Sequence, residues 1–233
     1  MTTLLLRLAA PMQSWGDSSR FVRRETRHHP TKSGVLGLIA AAQGRRRTDP
    51  VEDLVSLRFG VRIDQPGQLV RDFQTARSLD GRKTMPLSYR YYLADAVFVA
   101  GVEGPQPVVE GIRDALLNPT FPLYLGRRSC TPMGRLVLGV DENPLVDALR
   151  SCGWQAAQWY RRRQSRSGVH LEIVRDAIGP DEVGETAQDE PISFDPTRRD
   201  YGWRTIVHDD PVAVANPDGR TTSHDPFALL GGA

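Results

Sequence analysis

Short segments in which apolar residues run together or alternate with polar ones predict the secondary structure of this chain. Apolar runs indicate buried strands, and strict alternation indicates strands with one exposed face. The predicted strands are residues 3–9, 57–63, 96–101, 136–140 and 169–174, with shorter strand-like islands near 192–194 and 203–207. Between 64 and 95 the pattern is weak, and a stretch of that length inside a compact domain is typically functional or disordered.

Apolar residues at helical spacing predict helices between these strands. They cover residues 34–42, 50–55, 108–117 and a segment ending at Arg150, and Thr31 or Ser33 can cap the first of them. The order strand, helix, strand, long insertion, strand, helix, strand is a split βαβ pattern. The sequence therefore predicts an α+β fold with a ferredoxin-like or RRM-like sheet, followed by a C-terminal extension that contains strands.

Length and composition indicate one domain and a polar tail. The 233 residues are 39% apolar, which is enough for one hydrophobic core. We predict a single domain over 1–208 and an acidic, weakly ordered tail over 209–233. Only Cys130 and Cys152 are cysteines, too few for a disulfide scaffold or a thiolate zinc site. The chain shows neither a long apolar run nor a signal-peptide pattern, so we expect no membrane contact and a cytoplasmic location.

The charge is distributed unevenly, which changes the picture that a net charge of +2 gives. Residues 1–166 carry 25 Lys and Arg against 15 Asp and Glu, whereas residues 167–233 carry 5 against 13. The first part can meet a polyanion, and the second should lie away from one. Lys32 and Lys83 are the only lysines, so 28 of 30 cations are arginines, whose planar fork suits phosphate groups and stacks on bases.

Three basic clusters carry the candidate chemistry. The first spans 20–32 and follows two polar residues, the second is a glycine-arginine loop at 122–129, and the third, at 82–92, interleaves cations with tyrosines. Flexible backbone and guanidinium groups suit phosphates, and aromatic rings beside cations suit splayed bases. The candidate RNA-binding residues are Gln13, Ser14, Arg20, Arg23, Lys32, Ser33, Gly34, Tyr89, Arg90, Gly126, Arg127, Arg128 and Ser129. The remaining arginine triplets, 45–47 and 161–163, are interpreted as solvated faces or diffuse attraction.

Two other functions remain open at this stage. No nucleotide-binding loop, nucleophile elbow or zinc-protease string is present, and nothing in the sequence calls for a cofactor or metal. A metal-independent endoribonuclease needs a base and an acid near the scissile phosphate, which His28 or His29 with Tyr89 can supply. A purely structural linker would bind protein partners only and keep its arginines away from RNA.

Six strings in register resemble the CasD family of type I-E CRISPR surveillance complexes. They are 6–16 (LRLAAPMQSWG), 30–38 (PTKSGVLGL), 71–75 (RDFQT), 90–98 (RYYLADAVF), 124–130 (YLGRRSC) and 189–192 (DEPI) with Arg199 and Trp203. Together they extend over about residues 4–207. Each string alone is modest, but six in the correct order are specific.

The resemblance implies a fold, a ligand and partners. It implies an RRM-like palm with an inserted thumb at about 72–95, and a noncatalytic subunit that binds the 5′ handle of crRNA and caps the backbone filament. Expected partners are the CasC backbone subunit, the CasA large subunit and other Cascade subunits. Carried over by position, Gln13, Arg90, Arg127 and Arg128 would contact RNA, together with 32–34. Relatives in subtype I-C cleave repeat RNA, which keeps the endoribonuclease alternative open.

Overall fold

The computed structural model describes residues 1–16, 23–165 and 167–220. Within these ranges the strands are β1 (Thr2–Ala9), β2 (Met12–Gln13), β3 (Arg23–Arg24), β4 (Arg58–Gln65), β5 (Gln68–Gln74), β6 (Ser88–Ala94), β7 (Val97–Gly104), β8 (Val137–Asp141), β9 (Val169–Asp176), β10 (Glu185–Ser193) and β11 (Asp200–Val214). The helices are α1 (Lys32–Ala42), α2 (Glu52–Val55), α3 (Gln106–Leu117), α4 (Leu145–Ser151) and α5 (Gln158–Arg161). The α+β class predicted from the sequence is confirmed.

Seven strands form one antiparallel sheet in the order β10-β11-β9-β4-β7-β1-β8. Strand β1 lies between β7 and β8 and pairs with both. Its alternation explains this central position, because Leu4, Leu6 and Leu8 face α1 and α3 while Leu5 faces α4. Each fully buried leucine stabilises the fold by about 1.5–3 kcal/mol. No helix described by the structure is long and apolar enough to span a membrane.

Helix α1 begins at the cap that the sequence predicted and packs against the indole of Trp15. The hydroxyl of Thr31 accepts a hydrogen bond from the amide of Gly34 at 3.3 Å, which satisfies one free donor of the first turn. A Cβ at Gly34 would lie 2.8 Å from the indole of Trp15, so glycine allows Trp15 to pack against the helix. These contacts fix the helix as one wall of the site described below.

The region with weak periodicity forms a β-hairpin that leaves the main sheet between β4 and β7. Strands β5 and β6 pair antiparallel from Gln68↔Ala94 to Gln74↔Ser88. The short strands β2 and β3 add to the other edge of β6 and tie the hairpin to the N-terminal segment. The hairpin begins at Gln68, four residues before the predicted start of the insertion at 72.

The C-terminal extension contributes two strands to the main sheet and ends later than the sequence predicted. Strand β11 pairs with β9 as far as Val214↔Val169, so residues 209–214 are ordered sheet rather than a weakly ordered tail. Asn216, beyond the strand, is 1% exposed and hydrogen-bonded. Pairing with β9 orders this segment, and its polar composition gives no sign of that pairing. Residues 221–233 of the predicted tail lie outside the described residues.

Candidate nucleic-acid interface

A groove of about 1390 Å³ lies between α1, the loop that follows α3 and the loop between β10 and β11. We call it the arginine groove. It is lined by eight arginines, which are Arg24, Arg45, Arg46, Arg47, Arg127, Arg128, Arg198 and Arg199. Among the lining residues the acidic one is Glu25, so the groove is strongly positive. Aromatic rings of Phe121, Tyr124, Phe194 and Tyr201 lie among the cations. Cations interleaved with rings suit a single-stranded polyanion.

The glycine-arginine loop, residues 122–129, is held against the segment after β1. The amide of Ser14 donates to the carbonyl of Leu125 at 3.2 Å, and the amide of Leu125 donates to the carbonyl of Cys130 at 2.7 Å. Gly126 has a φ of +85°, and a Cβ there would overlap the carbonyl oxygen of Ser14. Both facts require glycine at this position. The turn places the next two side chains, those of Arg127 and Arg128, in the lining of the groove.

Arg127 is oriented by two contacts, and its neighbours are exposed. Its guanidinium lies over the ring of Tyr92, 4.4 Å from the centroid, and Nη2 donates to the carbonyl of Arg24 at 3.1 Å. Its Nη1 is buried without a hydrogen-bond partner among the described residues. Arg128 is exposed in the groove lining, whereas Ser129 is exposed but does not line the groove. The loop therefore presents two arginines to the groove, and the guanidinium of one of them is already oriented.

The hairpin carries cations and rings on its other face. Tyr89 and Tyr91 point to the side opposite Tyr92, because side chains alternate along a strand. The guanidinium of Arg71 lies 5.2 Å from the centroid of Tyr89, and that of Arg23 lies 5.4 Å from the centroid of Tyr91. These contacts bring predicted residues from the first and third clusters together on one surface.

Arg90 lies on the groove side of the hairpin, beside Arg24 in the β3–β6 pairing. Its Nε is buried and has no hydrogen-bond partner among the described residues. A buried guanidinium with an unused donor suits an acceptor supplied from outside the chain. Arg20, another predicted contact, falls outside the described residues.

The structure gives Gln13 an internal role instead of a surface one. Its side chain is 0% exposed, and Nε2 donates to the carbonyls of Leu8 at 3.2 Å and Ala96 at 2.7 Å. Its Oε1 accepts from the indole N–H of Trp15 at 3.1 Å. Ser14 is also buried, although it lines the groove, and its hydroxyl contacts the carbonyl of Tyr91 at 3.4 Å. Gln13 therefore holds β1 to the base of the hairpin, and we leave it out of the proposed contact set.

Lys32 is likewise engaged inside the protein. It is buried, and its Nζ lies 3.0 Å from Asp176 and 3.7 Å from Glu190. The sequence predicted an RNA contact here because the partner carboxylates lie far along the chain, where spacing gives no signal. Ser33 and Gly34 do line the groove, although Ser33 is largely buried. Lys32 thus fastens α1 to the C-terminal extension.

The structure places the two histidines of the endoribonuclease alternative in different surroundings. His28 is exposed, whereas His29 is buried with Nδ1 3.1 Å from the carbonyl of Pro30. Desolvation by burial lowers the pKa of His29 from its usual 6.5, despite the opposing bond to Pro30. The ring of Tyr89, the proposed acid, lies beneath the guanidinium of Arg71. No group of three His, Cys, Asp or Glu side chains in the described residues could hold a metal ion.

The burial of His29 predicts that acid destabilises the fold. Because the pKa of the folded ring lies below 6.5, the unfolded chain binds the proton first. Stability is complete above pH 6.5 and falls as the pH drops through the region between the two pKa values, by at most about 1.4 kcal/mol per pH unit. Urea unfolding of His29→Gln between pH 7.5 and 5.5 should show a flatter pH dependence than the wild type. The control His28→Gln should keep the wild-type dependence, and an unchanged slope in His29→Gln would refute this assignment.

Six of the eight groove arginines are absent from the candidate residues, although one of them, Arg24, lies within the first basic cluster. Residues 45–47 were interpreted as a solvated face, and Arg198 and Arg199 were not considered as binding residues. Arg45 is held by Asp53, at 2.6 Å and 2.5 Å, and this bond lowers the pKa of the Asp53 carboxyl. Arg46, Arg47, Arg198 and Arg199 are exposed. The available signal was the Arg198–Arg199 doublet inside an otherwise acidic segment.

The chain is similar to CRISPR-associated proteins in sequence and in structure. A sequence model of the family described as "CRISPR-associated protein (Cas_Cas5)" matches residues 3–207. The "CRISPR system Cascade subunit CasD" of Escherichia coli (strain K12) is 35% identical over 157 residues, which are 58% of this chain and 70% of the relative.

Two solved structures resemble the whole chain. One, described as "CRISPR RNA-guided surveillance complex", has a TM-score of 0.76 and 32% identity, covering 98% of this chain and 97% of the other. The second, "Crystal structure of Cas protein", has a TM-score of 0.71 and 36% identity, covering 94% and 98%. The resemblance that six short strings indicated is confirmed. The chain belongs to the Cas5 family of CRISPR-associated proteins.

Proposed function

We propose that this chain is a noncatalytic RNA-binding subunit of a type I-E CRISPR surveillance complex, where it binds the 5′ handle of crRNA and caps the backbone filament. The observation that carries the proposal is the arginine groove, with eight cations around a loop that glycine alone can form. The relative named as a Cascade subunit and the similar structure of an RNA-guided surveillance complex support it.

The topology supports a ferredoxin-like palm. Strands β1, β4, β7 and β8 lie in the order β8-β1-β7-β4, and α1 and α3 form the two crossovers. This is the βαββαβ arrangement that RRM-type RNA-binding domains use. The β5–β6 hairpin lies between β4 and β7, in the position expected for the inserted thumb. Fold alone does not establish a ligand, so the proposal depends on the site.

The geometry suggests how a single strand is held. Arg128, Arg46 and Arg199 are exposed at the groove and can pair with phosphates. Arg127, already stacked on Tyr92, presents an unused Nη1, and Arg90 presents an unused Nε. Rings within the groove offer stacking surfaces for unpaired bases. The hairpin stands beside the groove as an arm that separates adjacent nucleotides.

We propose CasC, CasA and the other Cascade subunits as protein partners, in the cytoplasm. The acidic C-terminal extension contributes Arg198 and Arg199 to the groove, and elsewhere it leaves apolar side chains exposed, among them Ile192 and Trp203. Exposed apolar groups beside acidic ones are more suitable for protein contacts than for nucleic acid. The charge division expected from the sequence therefore holds only in part, because the loop between β10 and β11 carries two arginines of the groove.

Handle binding is tested with Arg128→Ala in the full-length protein. Removal of one charged hydrogen-bonding group should weaken binding of labelled handle RNA roughly tenfold, as for a contact of about 1.5–3 kcal/mol. The slope of log affinity against log salt should become shallower by about 0.7 for each lost phosphate contact. Arg113→Ala, which removes a half-buried arginine of α3 that is paired with Asp114 and does not line the groove, is the matched control. Equal affinity and salt slope in both variants would contradict the proposal.

Two measurements on the wild-type protein distinguish the endoribonuclease alternative from the proposed RNA-binding function. Wild-type protein incubated with labelled repeat RNA in EDTA should leave the RNA intact, and footprinting of the assembled complex should protect the 5′ end of the guide. Cleavage that His28→Ala abolishes would favour the nuclease. Protection of the 5′ end by a different subunit would favour a structural linker.

A further inference from the structure

A second basic surface surrounds the short helix α5, away from the residues that line the arginine groove. The segment before α5 is anchored at the end of β4, where the indole N–H of Trp154 donates to the carbonyl of Asp64 at 2.9 Å. The amide of Ala157 donates to Oε1 of Gln65 at 3.1 Å. Asp64 is itself fixed by the fully buried Arg62, at 2.7 Å. The helix is therefore presented on a rigid support.

A buried asparagine assembles this surface from two distant parts of the chain. Asn216 donates through Nδ2 to the carbonyls of Arg161 at 2.8 Å and Ser165 at 3.0 Å. The amide of Arg220 donates to the carbonyl of Gln164 at 3.0 Å. These bonds bring Arg220 beside the arginine triplet 161–163. Asn216, which is 1% exposed, thus joins the segment that carries residues 161–163 to the segment that carries Arg220.

The α5 patch, defined as Trp159, Arg161, Arg162, Arg163 and Arg220, combines an exposed ring with unpaired cations. Trp159 is 46% exposed, and the guanidinium of Arg163 lies 5.2 Å from the centroid of its indole. Arg161 has a loose ion pair with Asp218 at 3.8 Å. In the part of the chain that the structure describes, Arg162 and Arg163 take part in no ion pair. An exposed indole beside cations without ion pairs is the combination that stacks an unpaired base and holds its phosphates.

We propose that the α5 patch binds single-stranded nucleic acid independently of the arginine groove. An unpaired base stacks on the exposed face of Trp159, and Arg162, Arg163 and Arg220 hold the flanking phosphates. Stacking requires a base that is not paired, so a duplex is a poor ligand. An acidic protein surface would pair with the arginines but would leave the indole without a planar partner. The guide and a DNA strand offer the same chemistry, and the experiment distinguishes them.

Binding is measured with labelled oligothymidylate and oligouridylate of twelve nucleotides on the full-length protein. Trp159→Ala, and separately Arg162→Ala with Arg163→Ala, should each weaken binding about tenfold. Trp203→Ala, which removes another exposed tryptophan on β11, and Arg113→Ala are the matched controls. The loss should be the same when Gly126→Ala is also present, because the groove is a separate site. Patch variants that bind both oligonucleotides with wild-type affinity would overturn the proposal, even if the arginine groove is shown to bind RNA.

The source of the strand is identified by crosslinking in the assembled complex. A photoreactive residue in place of Trp159 is combined with guide RNA and with an added DNA strand carrying different labels. A crosslink to the guide identifies RNA as the ligand, and one to the DNA identifies a DNA strand. A crosslink to protein alone would overturn the proposal, because it would show the patch covered by a subunit.

Discussion

Asp189→Ala is expected to lower the free energy of unfolding by about 3–5 kcal/mol, because it leaves a buried guanidinium without its main partner. Asp189 is 1% exposed and binds Arg204 twice, at 2.5 Å and 2.9 Å. Its Oδ2 also accepts from the amide of Lys32, at the start of α1, at 2.8 Å. The substitution therefore removes a salt bridge and a helix-terminal acceptor together. Urea unfolding followed by circular dichroism measures the loss.

The rest of the network cannot compensate for this loss. Burial opposes the charge of Arg204, yet its bonds to Asp189 and its ion pair with Asp176 outweigh that effect and raise its pKa. Asp176 already accepts from Arg204 at 2.6 Å, from Lys32 at 3.0 Å and from the amide of Phe59 at 3.0 Å. It has little capacity left for a second bond from Arg204.

Asp181→Ala is the matched control, because Asp181 is an exposed carboxylate in the loop before β10. An exposed substitution of this kind changes stability by at most about 0.5 kcal/mol. If Asp189→Ala were as mild as the control, the buried network would not be what fastens α1 to the C-terminal extension.

The sequence predicted most of the main sheet, because the buried strands carry the pattern that burial imposes. Strand β1 alternates between two helical layers and was predicted within one residue of its observed start. The hydrophobic pattern missed the strands of the hairpin for the opposite reason, although the family resemblance implied an insertion at about 72–95. Strand β5 is exposed on both faces, so its sequence carries no alternation, and pairing with β6 alone defines it.

The site residues also fall into those that local sequence predicts and those that only the folded chain brings together. The loop around Gly126 was predictable from its local sequence. A glycine followed by two arginines and a serine indicates a turn that carries cations. The role of Lys32 was not predictable, because its partner Asp176 is 144 residues away and only the folded sheet brings the two together. The contribution of Arg198 and Arg199 depended on a loop between two strands that the sequence showed only as islands.

Gly126→Ala is expected to weaken handle binding by about 100-fold, since both Arg127 and Arg128 move when the loop is displaced and each charged contact contributes about 1.5–3 kcal/mol. The backbone at Gly126 has a φ of +85°, which costs an alanine about 1–2 kcal/mol. The added Cβ would also overlap the carbonyl oxygen of Ser14, which is backbone and cannot rotate away. The loop must therefore leave its position against the N-terminal segment. Binding of labelled handle RNA to the full-length protein measures the effect.

Gly134→Ala separates the conformational cost from the overlap. Gly134 has a φ of +75°, close to that of Gly126, but its Cβ would meet only the flexible end of Arg7, at 3.5 Å. Both variants should lose a similar stability of about 1–2 kcal/mol from the left-handed backbone, whereas only Gly126→Ala should lose RNA. If the two variants bound handle RNA equally well, the close approach of the loop to Ser14 would have no part in binding, and the arginines would have to act from a loop free to move.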